Sequence, residues 1–63
     1  MALVDKIITY ENGEMSDNDT IAFFAELVAN GMAWSLQGHY GRMATQLIDA
    51  GYISRKGAIL KEI

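Results

Sequence analysis

The sequence predicts an all-α fold: a small domain of three helices, over about residues 3–12, 17–29 and 38–50, with a short C-terminal tail. Three observations carry that expectation. Each of the three segments repeats apolar residues at the spacing of one helix face. Each is followed by Asn-Gly or Gly, namely Asn12-Gly13, Asn30-Gly31 and Gly51, residues that readily take the left-handed conformation closing a helix. Ser16-Asp17-Asn18-Asp19 announces the second helix with a side-chain cap and acids at the positive end of the helix dipole.

In the first segment Leu3, Val4, Ile7 and Ile8 form one stripe, with Asp5, Lys6 and Glu11 away from it. Ile7-Ile8-Thr9-Tyr10 is also a run of good strand formers, and helix is the preferred reading of the two. The second helix is expected from Asp17 to Ala29. Ile21, Phe24, Leu27 and Val28 share a face there, and Phe23 widens it enough to touch a third element or a second subunit. Met32-Ala33-Trp34-Ser35-Leu36 is expected as a helical turn or an irregular link. In the third helix Tyr40, Met43, Ala44, Leu47 and Ile48 keep the period. Gly38 and Gly41 would each cost roughly 1 kcal/mol in a helix interior, so they belong in its first turn or serve close packing. The tail from Tyr52 has two readings: a short hairpin turning at Lys56-Gly57, or a final helical turn capped by Ser54 and carrying Ile59, Leu60 and Ile63. With no proline, repeat or low-complexity run, residues 1–63 read as a single helical domain.

A chain of 63 residues buries only about 60% of the surface its unfolded form exposes, so its stability is marginal. It has no Cys for a disulfide, and one His cannot supply the four ligands of a usual zinc site, so no metal and no cofactor are predicted. Hydrophobic residues make up 51% of the chain, more than a monomer this small easily hides, which predicts self-association into a homo-oligomer, with a homodimer as the default. No run approaches the ~20 apolar residues of a membrane span, and Met1-Ala2-Leu3-Val4-Asp5-Lys6 lacks the order of a signal peptide. The expectation is a soluble cytoplasmic protein with no membrane partner. A net charge of −3 argues against general nucleic-acid binding. The charge is uneven: residues 1–33 carry six acids and one base, residues 34–63 two acids and four bases.

The stretch from Trp34 to Ala44 concentrates the only Trp, the only His, a Tyr and an Arg beside two glycines. These are residue types enriched at binding hot spots, so Trp34, His39, Tyr40 and Arg42 are the candidate partner-binding residues. Each also has a structural role open to it. Trp34 is a core plug under the inter-helix link or an exposed anchor, the core role being favoured. His39 is a surface or capping histidine, a partner contact, or an acid or base, and no oriented nucleophile or carboxylate is supplied by the local spacing. Arg42 binds a partner carboxylate or phosphate, or pairs with Asp49 or Asp5. Tyr40 also falls on the apolar stripe of the third helix. Glu11, Glu14, Asp17 and Asp19 bracket one inter-helix turn, where they serve capping and solubility, meet a basic partner or imitate nucleic acid, for which four acids are few. Met15, Met32 and Met43 adjoin core positions as gap fillers. Gly38 to Arg42 is no phosphate-binding loop, because the Gly-Lys-Ser/Thr ending is absent.

The pattern Ala-Trp-x-Leu-Gln-Gly-His-Tyr-Gly-Arg-x-Ala-x-x-Leu-Ile-x-Ala-Gly around Trp34 to Ala50, with the earlier Tyr10-Glu11-Asn12-Gly13-Glu14-Met15, resembles a family of very small proteins encoded by tailed bacteriophages. The resemblance covers roughly residues 3–53 and leaves out the tail after Ser54. It implies origin rather than mechanism, since that family has no assigned activity. The Tyr10-x-x-Gly13-Glu14 turn is also similar to the helical hairpin of zinc-binding anti-sigma domains, whose Cys ligands this chain lacks. With the hot-spot residue types clustered at Trp34 to Arg42, an origin among small phage proteins leads to the expectation of a protein-interaction module acting in the host bacterial cytoplasm on a host protein, for host takeover or anti-defence. An enzyme is not expected, because a chain this small rarely builds a closed pocket and its polar residues form no recognisable catalytic set. The alternatives are a nucleic-acid-associated transcription regulator using Arg42, Arg55, Lys56 and Lys61, and a self-assembling phage protein with no host target.

Overall fold

The computed structural model describes residues 2–62. It contains three α-helices, α1 (Leu3–Glu11), α2 (Asp17–Ala29) and α3 (Gly38–Asp49), with a single 3-10 turn, Met32–Trp34, between α2 and α3. The predicted helices are present, each to within a residue or so.

α2 is the centre of the molecule. Ser16 takes an extended backbone and its hydroxyl accepts the Asp19 amide at 3.2 Å, satisfying one of the donors a helix start leaves open. Ile21, Phe24, Leu27 and Val28 are buried as their shared face predicts, and Phe23 and Ala25 join them. α3 adds Tyr40, Ala44 and Leu47 to the same core, and Met15, Met32 and Met43 pack against its edge.

The apolar stripe of α1 sits differently from expectation. Leu3, Ile7 and Tyr10 pack on the core, while Val4 and Ile8 stay 60% and 53% exposed. Tyr10 is the reason. Its ring lies 5.5 Å from Phe23, 5.2 Å from Phe24 and 5.7 Å from Tyr40, and packing that large, half-buried side chain against the aromatic cluster sets the face that α1 turns to the core. The strand reading of residues 7–10 is excluded by the same helix. Asn12-Gly13 ends it as predicted: Gly13 has φ +74°, and the Glu14 amide reaches back to the Thr9 carbonyl at 3.1 Å. Lys6 Nζ meets Glu26 Oε1 at 2.7 Å across α1 and α2, a partly exposed pair that adds at most about 1 kcal/mol.

The tail takes the hairpin reading. Ile53 and Ile59 form an antiparallel bridge, the Ser54 amide donates to the Ala58 carbonyl at 2.8 Å, and Gly57 turns with φ +90°. Ser54 does cap, but its hydroxyl accepts from the Lys56 and Ala58 amides of the turn and starts no helix. The helical-turn reading of Ile59 and Leu60 is therefore corrected, and Ile63 lies outside the described residues. Two features hold the tail in place. Ile53 is fully buried, and a Cβ on Gly57 would lie 2.5 Å from the Ala25 carbonyl oxygen and 2.6 Å from Ala29 Cβ. Only a glycine turn lets the tail lie this close to α2.

Candidate interaction surface

The link between α2 and α3 decides which side chains of the Trp34 to Ala44 stretch face outward. Gly31 turns the chain with φ +80°, and the Asn30 side-chain oxygen accepts the Met32 amide at 2.9 Å. The 3-10 turn that follows sends Ala33 into the core and sets Met32 and Leu36 against it. Trp34 is left pointing out, 54% exposed. The favoured core role of Trp34 is thus corrected: three residues to a turn put Ala33, not Trp34, under the link.

The indole does not hang free. It lies on the first turn of α3, where a Cβ added to Gly41 would come 3.7 Å from Trp34 Cε3 and 3.5 Å from the Ala33 carbonyl oxygen. Gly41 therefore serves close packing and, like Gly38 at the helix start, sits in the first turn. Two shallow grooves flank the ring. One, of about 430 Å³, runs along Gly38, Arg42 and Gln46; the other, of about 300 Å³, along Ile48, Asp49 and Arg55, and Thr45 belongs to both. The exposed aromatic thus has a guanidinium in each adjoining groove. Among the described residues the ion pair is Lys6–Glu26 alone, so Arg42 is not held by Asp49 or Asp5 as its structural role required. A planar five-donor cation left without a carboxylate is available for one on a partner.

The other two candidates lie elsewhere. Tyr40 is 2% exposed, and its hydroxyl donates to Glu11 Oε2 at 2.6 Å. Its ring belongs to the aromatic cluster, so the proposed partner contact at Tyr40 is corrected to a core position, as its place on the apolar stripe of α3 allows. Burial, the hydrogen bond and the charge of Glu11 together push the Tyr40 phenol well above the ordinary tyrosine value. His39 is half-buried with its ring 4.2 Å from that of Tyr40, on a flank of α3 that lines neither groove beside Trp34. Of the four candidates, the structure brings Trp34 and Arg42 together and leaves His39 and Tyr40 apart from them. The basic set divides too: Arg42 and Arg55 adjoin Trp34, Lys56 is exposed in the tail turn, and Lys61 Nζ sits 4.7 Å above the Tyr52 ring.

Arg55 as a neighbour of Trp34 was not visible in the sequence, because it depends on the hairpin path of the tail. Glu11 as the acceptor for Tyr40 was hidden likewise, being 29 residues away along the chain. Among the described residues no group of three or more acids and histidines is placed to hold a metal ion, and no helix is long and apolar enough to cross a membrane.

Fold and surface together define a small all-α domain with an aromatic core and an exposed Trp between two arginines. The chain belongs to the DUF7417 family, described as a domain of unknown function, which matches residues 1–63 and so includes the tail. No curated protein and no solved structure matches the chain.

Proposed function

We propose that this protein is a protein-interaction module whose contact face is Trp34 with Arg42 and Arg55. The observation that carries the reading is the placement of Trp34: a large aromatic side chain 54% exposed, yet backed by the α3 backbone at Gly41. An anchor already held in one orientation loses little conformational freedom on binding, which is how a few residues come to dominate an interface. The two arginines add recognition of carboxylates around an apolar pocket on the partner. The resemblance to small tailed-phage proteins makes a host protein in the bacterial cytoplasm the expected partner, with alteration of that protein as the outcome. Affinity capture from bacterial lysate tests this when run with wild type, Trp34→Ala and Arg42→Ala side by side: a stoichiometric partner held by the wild type is lost from both variants.

A second reading draws on the same geometry. An indole flanked by guanidiniums also suits a stacked nucleobase and its phosphates, so a nucleic-acid-associated regulator would use Trp34, Arg42 and Arg55. Its signature is binding that falls steeply with salt. Absence of binding to single- and double-stranded oligonucleotides at low salt removes it.

A further inference from the structure

A second concavity lies on a different part of the surface, between α1 and α2. It encloses about 380 Å³ over an apolar floor of Met15, Ala22 and Phe23. Its polar lining includes Glu14, Asp19 and Glu26 against a single cation, Lys6. Lys6 is already paired with Glu26, and the carboxylates of Glu14 and Asp19 have no partner among the described residues. The groove shares no residue with the two beside Trp34. It presents the complement of that face: an apolar floor with unpaired carboxylates in one place, and in the other an exposed indole with two guanidiniums against the one carboxylate of Asp49, a net positive surface.

We propose that the α1–α2 groove seats the Trp34 face of a second copy of this chain. The inference rests on the reading of Trp34, Arg42 and Arg55 as a contact face, and it names an occupant for that face in the protein alone. The indole enters over Met15, Ala22 and Phe23, and Arg42 and Arg55 meet Glu14 and Asp19. Because donor face and receiving groove are different surfaces, the contact is head-to-tail, and each bound pair still offers one free groove on one copy and one free face on the other. The association therefore closes into a ring or grows with concentration, and it weakens as salt screens the charges. A partner protein binding Trp34 competes with it.

A charge-swap experiment tests the arrangement. One variant carries Glu14→Lys and Asp19→Lys, which makes the groove basic while the Trp34 face stays basic. The other carries Arg42→Glu and Arg55→Glu, which makes the face acidic while the groove stays acidic. All four positions are exposed, and helicity is checked by circular dichroism. Sedimentation velocity across a concentration series then reads the mass. Wild type is expected to gain mass with concentration and to lose it in high salt. Each variant alone should associate at least about tenfold more weakly, since like charges now face each other, and an equimolar mixture should recover assembly. Ala22→Arg, on the exposed side of α2, fills the groove without touching the helix cap and should also abolish association. A wild type that stays monomeric at every concentration overturns the proposal, as does association unchanged in the swapped variants and in Ala22→Arg. The partner-binding reading fails by a different result: capture that Trp34→Ala leaves intact.

Discussion

The hydroxyl of Tyr40 donates to Oε2 of Glu11 across 2.6 Å, joining the first turn of α3 to the last residue of α1. A buried phenol needs a partner, and the exposed end of α1 supplies one at the edge of the aromatic cluster. This contact, with the tilted packing of the Tyr10 ring against Tyr40, ties α1 to a core made chiefly by the other two helices.

Removing the hydroxyl by Tyr40→Phe should therefore lower stability by about 1 kcal/mol, the net value of such a bond when its acceptor is solvent-exposed. The change has a pH signature. The folded state holds the Tyr40 proton more firmly than the unfolded chain does, so the unfolded chain binds fewer protons once pH passes the ordinary tyrosine value of about 10. The Tyr40 contribution to stability is complete below that pH and is lost as pH rises above it. Urea midpoints at neutral pH and above pH 10 should converge between wild type and Tyr40→Phe; a constant gap contradicts the assignment.

Gly57→Ala should be the most damaging of the glycine substitutions in the turns. It combines positive φ, costing about 1–2 kcal/mol, with a methyl placed 2.5 Å from the Ala25 carbonyl oxygen and 2.6 Å from Ala29 Cβ. Gly13→Ala has φ +74° and nothing within 4 Å, so it bears the backbone cost alone. Thermal unfolding of the two variants should rank Gly57→Ala clearly below Gly13→Ala, and equal midpoints would contradict the close docking of the tail on α2.

Ile53→Ala probes the same docking from the side chain. Ile53 is fully buried although it lies outside the three helices. Its truncation should cost about 2–5 kcal/mol, a large part of the stability of a domain this size. Ile59→Ala, at a position 47% exposed, should cost well under that. Chemical denaturation of the pair measures the contrast directly.

The helices were legible because their signals are local. Ser16 and its following acids mark one start, Asn12-Gly13 and Asn30-Gly31 mark two ends, and the period from Tyr40 to Ile48 marks the face of α3. The rotation of α1 was not legible, because Val4 and Ile8 match the helical period as well as Leu3 and Tyr10 do, and only the aromatic cluster decides between them. The Trp34 face was half legible. Composition pointed to Trp34 and Arg42, but the inward turn of Tyr40 follows from its position on the α3 stripe, and the approach of Arg55 follows from a turn at Gly57 whose conformation depends on contact with α2.

The most direct test of the central claim is the affinity of the captured partner for wild type, Trp34→Ala, Arg42→Ala and Lys61→Ala, each first shown to keep its helicity. Truncating an interface hot spot costs about 2 kcal/mol or more, so Trp34→Ala and Arg42→Ala should weaken binding by upwards of about thirtyfold. Lys61→Ala, whose ammonium sits over Tyr52 and outside the grooves beside Trp34, should leave it unchanged. Equal affinity for all four proteins would contradict the assignment of Trp34 and Arg42 as the contact face.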